Sequence, residues 1–263
     1  MELRVHRFPV GDGPHAVEVR NPAGSVTVEA VEGIPEYVVE IQALDSTAEE
    51  LIDRVELFLV GSRLRVHVPE RRLLRTPAFA IRVTAPARAA ARIAVASADT
   101  ELRGELGRVE LTGASGDAAV EDCADLQLRS ASGDARIGRV TGRATVASAS
   151  GDLRIESVGG GLEVKTASGD VEVGSAGGDV SITTASGDVG IIRAAGGTVG
   201  VKTVSGDVEV GVVPGLRVWL DLSSVSGRME SALDDDAAGG GAAQLTLSVR
   251  SVSGDQRIRR SAA

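Results

Sequence analysis

The chain has 263 residues, enough to bury a sizeable core, with 28 Lys plus Arg against 37 Asp plus Glu and a formal charge of −9. That balance argues against nucleic acid as a partner, which needs concentrated Lys and Arg, and no apolar run is long enough to span a membrane as a helix. The lone cysteine, Cys123, leaves no internal disulfide framework, and Met1-Glu2-Leu3-Arg4-Val5-His6-Arg7 carries no apolar signal region, which points to a cytoplasmic protein.

Residues 1–95 read as an irregular β-rich region that caps the more regular remainder of the chain. Apolar and polar residues alternate at Ala16-Val17-Glu18-Val19, Ser25-Val26-Thr27-Val28-Glu29, Tyr37-Val38-Val39-Glu40-Ile41 and Leu64-Arg65-Val66-His67-Val68, the period of half-buried strands. Residues 55–59 and 64–68 form a strand pair around Gly61-Ser62. One short helix is expected over residues 46–55, with Ser46 and Glu49 as a capping box and Leu51, Ile52 and Val55 on one face. Four of the five aromatics, Phe8, Tyr37, Phe58 and Phe79, fall here, which predicts a broader core than the rest of the chain has.

Arg71-Arg72-Leu73-Leu74-Arg75 is the one basic concentration, continued by Arg82, Arg88 and Arg92. A solvated loop is its ordinary reading. Arg71, Arg72 and Arg75 as a contact for an acidic partner or an anionic membrane surface is the sharper one.

Residues 96–263 repeat one phrase. Ser-Gly-Asp stands at Ser115-Gly116-Asp117, Ser132-Gly133-Asp134, Ser150-Gly151-Asp152, Ser168-Gly169-Asp170, Ser186-Gly187-Asp188, Ser205-Gly206-Asp207 and Ser253-Gly254-Asp255, with degenerate copies at Ser97-Ala98-Asp99 and Ser226-Gly227-Arg228. Successive third positions lie 18, 17, 18, 18, 18, 19, 21 and 27 residues apart, and a fixed short period marks a repeat architecture. Half the period shows as Gly177-Gly178-Asp179 midway between Asp170 and Asp188. Each half is a turn followed by a short alternating strand such as Val171, Val173 or Val180, Ile182. Two strands per repeat can pair only with their copies in the next repeat. The expected fold is therefore all-β, a parallel β-solenoid with coils about 4.8 Å apart and a rod of roughly 40 Å. Its thin core would suit Val, Ile, Leu and Ala, and residues 80–218 contain no aromatic.

Toward the C-terminus the period stretches at Pro214-Gly215 and again at Asp234-Asp235-Asp236, an acidic loop. A last coil comes after it at Leu245-Thr246-Leu247-Ser248-Val249. Lacking a cap, it is expected to leave an edge near residues 245–258 open to another strand.

The stacked turns bring Gly116, Asp117, Gly133, Asp134, Gly151, Asp152, Gly169, Asp170, Gly187, Asp188, Gly206 and Asp207 into a ladder. The glycines are assigned to positive-φ turn positions. Like charges about 5 Å apart repel by roughly 1 kcal/mol in bulk water, so something offsets them. Backbone N–H groups within each turn are one answer, and a cation such as Ca²⁺ held between turns is the other. The calcium nonapeptide, Gly-Gly-x-Gly-x-Asp, is incomplete here, and no metal is expected. A second ladder, Ser130, Ser148, Thr166, Thr184, Thr203, Ser224 and Ser251, is expected to link hydroxyls up and down the stack. The histidines, His6, His15 and His67, lie outside the repeats, which leaves the repeat serines without a base. Glycan clefts and single-strand nucleic-acid grooves rely on aromatic platforms, which the repeats lack. Cys123, with no His or Lys beside it in sequence, reads as a buried structural residue.

Thr166-Ala167-Ser168-Gly169-Asp170-Val171 and Thr203-Val204-Ser205-Gly206-Asp207-Val208 resemble the bacterial putative-adhesin β-strand-repeat family, the toast-rack group, over about residues 95–260. Asn21-Pro22-Ala23-Gly24-Ser25-Val26 looks like that family's opening strand. The resemblance implies a non-enzymatic β-helical protein of unassigned role, with ties to envelope or membrane-associated stress systems. The expectation is a scaffold that binds a protein partner or another copy of itself, without cofactor or small-molecule substrate. A calcium-loaded β-roll and, further off, a glycan-active β-helix enzyme are the alternatives.

Overall fold

The computed structural model describes residues 2–69, 76–233 and 243–261. The chain forms two compact units, residues 1–134 and 135–263.

In the first unit, β1 (Leu3–Pro9), β3 (Glu36–Ala43) and β6 (Ala78–Pro86) pair antiparallel, as do β4 (Glu56–Val60) and β5 (Arg63–His67). The long β2 (Ala16–Val31) joins both sets. Its first part runs parallel to β5, its second part parallel to β6, and nearly its whole length parallel to β7 (Ala90–Thr112). β8 (Ala118–Arg129) stacks parallel on the end of β7. β2 turns a corner at Asn21-Pro22-Ala23-Gly24, where the buried Asn21 amide donates to the Phe79 carbonyl (2.9 Å) and the Ser25 carbonyl (3.2 Å). Tyr37 and Phe79 are wholly buried in this unit, whereas Phe8 is half-buried and Phe58 is exposed, so two of its four aromatics stand in the core.

The helix is shorter than its pattern suggests and starts from a different residue. α1 spans Ser46–Leu51 and tightens into a 3₁₀ turn at Ile52–Arg54. Asp45, not Ser46, is the N-cap: its Oδ1 accepts from the Ala48 N–H (2.7 Å) and its Oδ2 from the Ala78 N–H (3.1 Å). A carboxylate can cap the helix and tie down β6 with its two oxygens, which a hydroxyl one place later cannot do.

The second unit is a two-column parallel stack. One column contains β9 (Ala135–Val140), β11 (Leu153–Val158), β13 (Val171–Ala176), β15 (Val189–Ala194) and β17 (Val208–Val212), each parallel to the next. The other contains β10 (Ala144–Ala147), β12 (Leu162–Lys165), β14 (Val180–Thr183) and β16 (Gly197–Lys202). The registers step by one repeat, so Ile137, Ile155, Val173, Ile191 and Val210 form a buried row, and Val164, Ile182 and Val201 another. This is the all-β parallel solenoid that the period predicts.

Beyond β17 the coils leave sequence order. β18 (Val218–Ser226) and β19 (Met229–Ala232) come next in the chain, but β20 (Leu245–Ser253) pairs with β16 on one side and β18 on the other. In the same way β21 (Gln256–Arg260) lies between β17 and β19. The chain steps over one coil at the Pro214-Gly215 turn, lays β18 and β19, and returns to fill the gap. The expectation of an open edge at residues 245–258 is therefore corrected: Leu245, Leu247, Val249 and Ile258 are fully buried, and the terminal coil is β18–β19.

Candidate functional site

Three groups of residues could carry function: the stacked turns, the charged rows of the sheets, and the terminal coil.

In the turns each Asp serves both of its neighbours. In the first unit the Asp117 N–H donates to Asp99 Oδ1 (3.0 Å) and the Asp134 N–H to Asp117 Oδ1 (2.9 Å). In the second unit Asp170 donates to Asp152 (2.9 Å), Asp188 to Asp170, Asp207 to Asp188 and Asp255 to Asp207 (each 2.8 Å). The Asp carbonyls accept in the other direction, for example from Leu153 to Asp170 (2.8 Å) and from Val171 to Asp188 (2.9 Å). The carboxylates thus accept from the next coil rather than from their own turn.

The hydroxyls reverse the expected roles too. Ser130, Ser148, Thr166, Thr184 and Thr203 donate within their own turns, to the carbonyls of Ser132, Ser150, Ser168, Ser186 and Ser205 at 2.8–3.0 Å. It is the repeat serine that reaches back a coil, as Ser168 does to the Ala149 carbonyl (3.3 Å). A residue two places before the turn's end sits over its own loop, where the carbonyl at i+2 is within closer reach than anything in the next coil.

Gly116, Gly133, Gly151, Gly169, Gly187 and Gly206 all take positive φ. Gly169 is representative: φ is +104°, and a Cβ there would lie 2.2 Å from the Gly151 carbonyl oxygen. Coils this close leave no room for a side chain at that corner.

The strand faces carry charges paired across coils. Arg154 Nε donates to Glu172 (3.0 Å), Arg259 pairs with Glu209, and in the first unit Arg88 and Arg92 pair with Glu105 (2.8 Å) and Glu110 (2.9 Å). Arg92, helped by Arg108, holds the Glu110 carboxyl below the usual carboxylate value. Arg71, Arg72 and Arg75 lie outside the described residues. His15 Nδ1 meets the Tyr37 hydroxyl (3.0 Å), and His67 faces Glu56 (3.8 Å). Among the described residues no cluster of three His, Cys, Asp or Glu is placed to hold a metal. Burial, with Asp122 and Asp125 nearby, pushes the Cys123 thiol up to about 12, so it stays a protonated core residue.

The terminal coil was not singled out from the sequence. Among the described residues β18 pairs with β20 alone and β19 with β21 alone. Trp219, Val225 and Met229 are 54%, 84% and 50% exposed, and Leu220 and Leu222 are half-buried. Val204 and Val252 are exposed as well. In the coil order of the fold they precede Val225, so an apolar ridge runs along the corners to the edge, where earlier turns carry Ala149, Ala167 and Ala185. One sequence signal could have found this coil. Its triplet ends in Arg228, whose N–H donates to Asp255 Oδ1 (2.8 Å), as every ladder position must. Among the described residues no further coil takes a bond from it, so the carboxylate is dispensable there.

A family model described as Toastrack DUF4097 matches residues 66–259. No curated protein matches the chain. Similar solved structures include a putative lipid binding protein from Parabacteroides distasonis, at 11% identity and a TM-score of 0.49 over 97% of this chain and 96% of that one. A putative adhesin from the same species has 11% identity and a TM-score of 0.44, covering 97% of each chain. A putative adhesin from Bacteroides fragilis has 13% identity and a TM-score of 0.41, covering 98% of this chain and 97% of that one. Likeness of this degree says nothing about what this chain binds.

Proposed function

The chain belongs to the Toastrack DUF4097 family, and on that premise we propose that it is a non-catalytic scaffold that engages a protein partner through the open β18–β19 edge. The observation that carries this reading is the concentration of exposed Trp219, Val225 and Met229 on a strand pair that, among the described residues, has one side unpaired. An unpaired edge offers a row of N–H and C=O groups to an added strand, and flanking apolar side chains supply the contact area. The turn ladder supports the same reading from the other side. Its carboxylates are engaged by backbone N–H groups, which gives them a task in the scaffold's own construction.

The full chain and its Trp219→Lys variant, used side by side as baits, test the reading. A protein retained by the wild type and lost from the variant supports it. Identical capture by both, with identical self-association, would overturn it.

A further inference from the structure

We propose that the occupant of the β18–β19 edge is a second copy of this chain, the two copies meeting about a two-fold axis with β18 antiparallel to β18. This rests on the reading of that edge as an interaction surface and names its partner.

The hydrogen-bonding parity of the strand sets the first condition. The Leu245 N–H donates to the Arg217 carbonyl, and Val218 stands opposite Leu245. In a parallel ladder alternate residues point their N–H and C=O to the same side, so Arg217, Trp219 and Asp221 face β20 while Leu220, Leu222 and Ser224 face off the edge. Two edges of this kind bond when outward-facing residues stand opposite one another. With Leu222 opposite Leu222 of the second copy, Leu220 stands opposite Ser224, and all of these residues present free-edge groups to each other. The alignment uses the regular part of the strand, up to Ser224; at the corner beyond it the Ser226 carbonyl turns back to accept from the Gly254 N–H (3.1 Å).

Side-chain complementarity selects this register. It brings Trp219 of each copy beside Val225 at the corner of the other, joining the two most exposed apolar positions of the strand. It sets Asp221 opposite Ser223 twice. A slip that moves the axis to Asp221 would face Asp221 with itself and Trp219 with Ser223, while a slip the other way would set Asp221 against Val225. The second strand is self-complementary in charge: the Gln256 N–H donates to the Arg228 carbonyl, which leaves Met229 facing outward, and Met229 opposite its own copy places Arg228 against Glu230 twice. Finally, β18 contains no Lys, Arg or Pro and keeps an unbroken register with β20 apart from its corner, and its single charge, Asp221, is turned to Ser248 and Arg250 of β20, so the edge is thinly guarded.

Sedimentation velocity of the full chain across a wide concentration range tests this. The expected result is an apparent mass that doubles and then stays constant, with Trp219→Lys weakening the dimer at least about tenfold at an unchanged melting temperature. The register is tested with Trp219→Cys combined with Val225→Cys. In this register the two side chains are neighbours across the seam, Trp219 on the strand and Val225 at the corner of the other copy. The double variant should oxidise to a covalent dimer far more completely than either single variant, Cys123 being buried. A chain that stays monomeric at the highest concentration, a mass that climbs past the dimer, or a double variant that cross-links no better than the single ones would each overturn the proposal. A monomer that still loses a captured protein on Trp219→Lys would overturn the second copy alone and leave the interaction edge standing.

Discussion

The carboxylate of Asp170 accepts the backbone N–H of Asp188, one coil later, at 2.8 Å, while its own N–H donates to Asp152 at 2.9 Å. A side chain commonly associated with cation binding in β-rolls is here a rung that fixes the spacing of the coils. Asp170→Ala should remove one charge-assisted bond and lower stability by about 1–2 kcal/mol, read as a fall in melting temperature. EDTA should shift the wild-type melting temperature by less than about 2 °C. A larger fall with EDTA would show that the ladder needs a cation.

Gly169→Val should cost more than the loss of a rung. Its φ of +104° disfavours any L side chain, and the 2.2 Å approach to the Gly151 carbonyl oxygen forces the backbone to move as well. Together these predict a loss of about 3 kcal/mol or more by chemical denaturation. A variant as stable as the wild type would refute the close-stacked corner.

Much of the architecture was legible in the chain. The 18-residue period and its half point to the parallel stack, because identical short strands have only their copies to pair with. The order of the last coils was not legible, because a repeat implies neighbours in sequence order and says nothing about a chain that skips a place and returns. The 21- and 27-residue spacings and the Arg228 in place of Asp were visible, yet their meaning depends on which coil comes last in space. The helix cap lies one residue from its expected place, since the tie between Asp45 and Ala78 is a tertiary contact that a local capping pattern does not contain. The hydroxyl ladder differs from its expected form because sequence spacing does not tell a bond within a turn from one between turns.

Cys123 should resist thiol reagents in the folded protein at mildly alkaline pH. Burial and the two neighbouring aspartates keep the thiolate unformed well above the ordinary cysteine range. Labelling that becomes fast only in denaturant, followed by mass spectrometry, is the expected outcome. Rapid labelling of the native chain would contradict it.

The Glu110–Arg92 pair makes a pH prediction. Glu110 is held below its ordinary value of 4.5, so the stabilisation it brings is present above that value and fades as acid titrates the folded carboxylate. Arg92→Gln should lower the melting temperature slightly at neutral pH, as befits an exposed pair, and by less at about pH 3. A difference that grows on acidification would be the wrong sign.

Among the described residues β18 and β19, and not β20 and β21, form the free edge. Residue-resolved hydrogen exchange on the dilute, monomeric chain tests this most directly. Amides of Leu247, Val249 and Ile258, in strands flanked on both sides, should be strongly protected, while those of Leu220, Leu222 and Ser224 should exchange orders of magnitude faster. Fast exchange at Leu247 and Val249 with protection at Leu220 and Leu222 would restore sequence-order stacking and contradict the assignment of the edge.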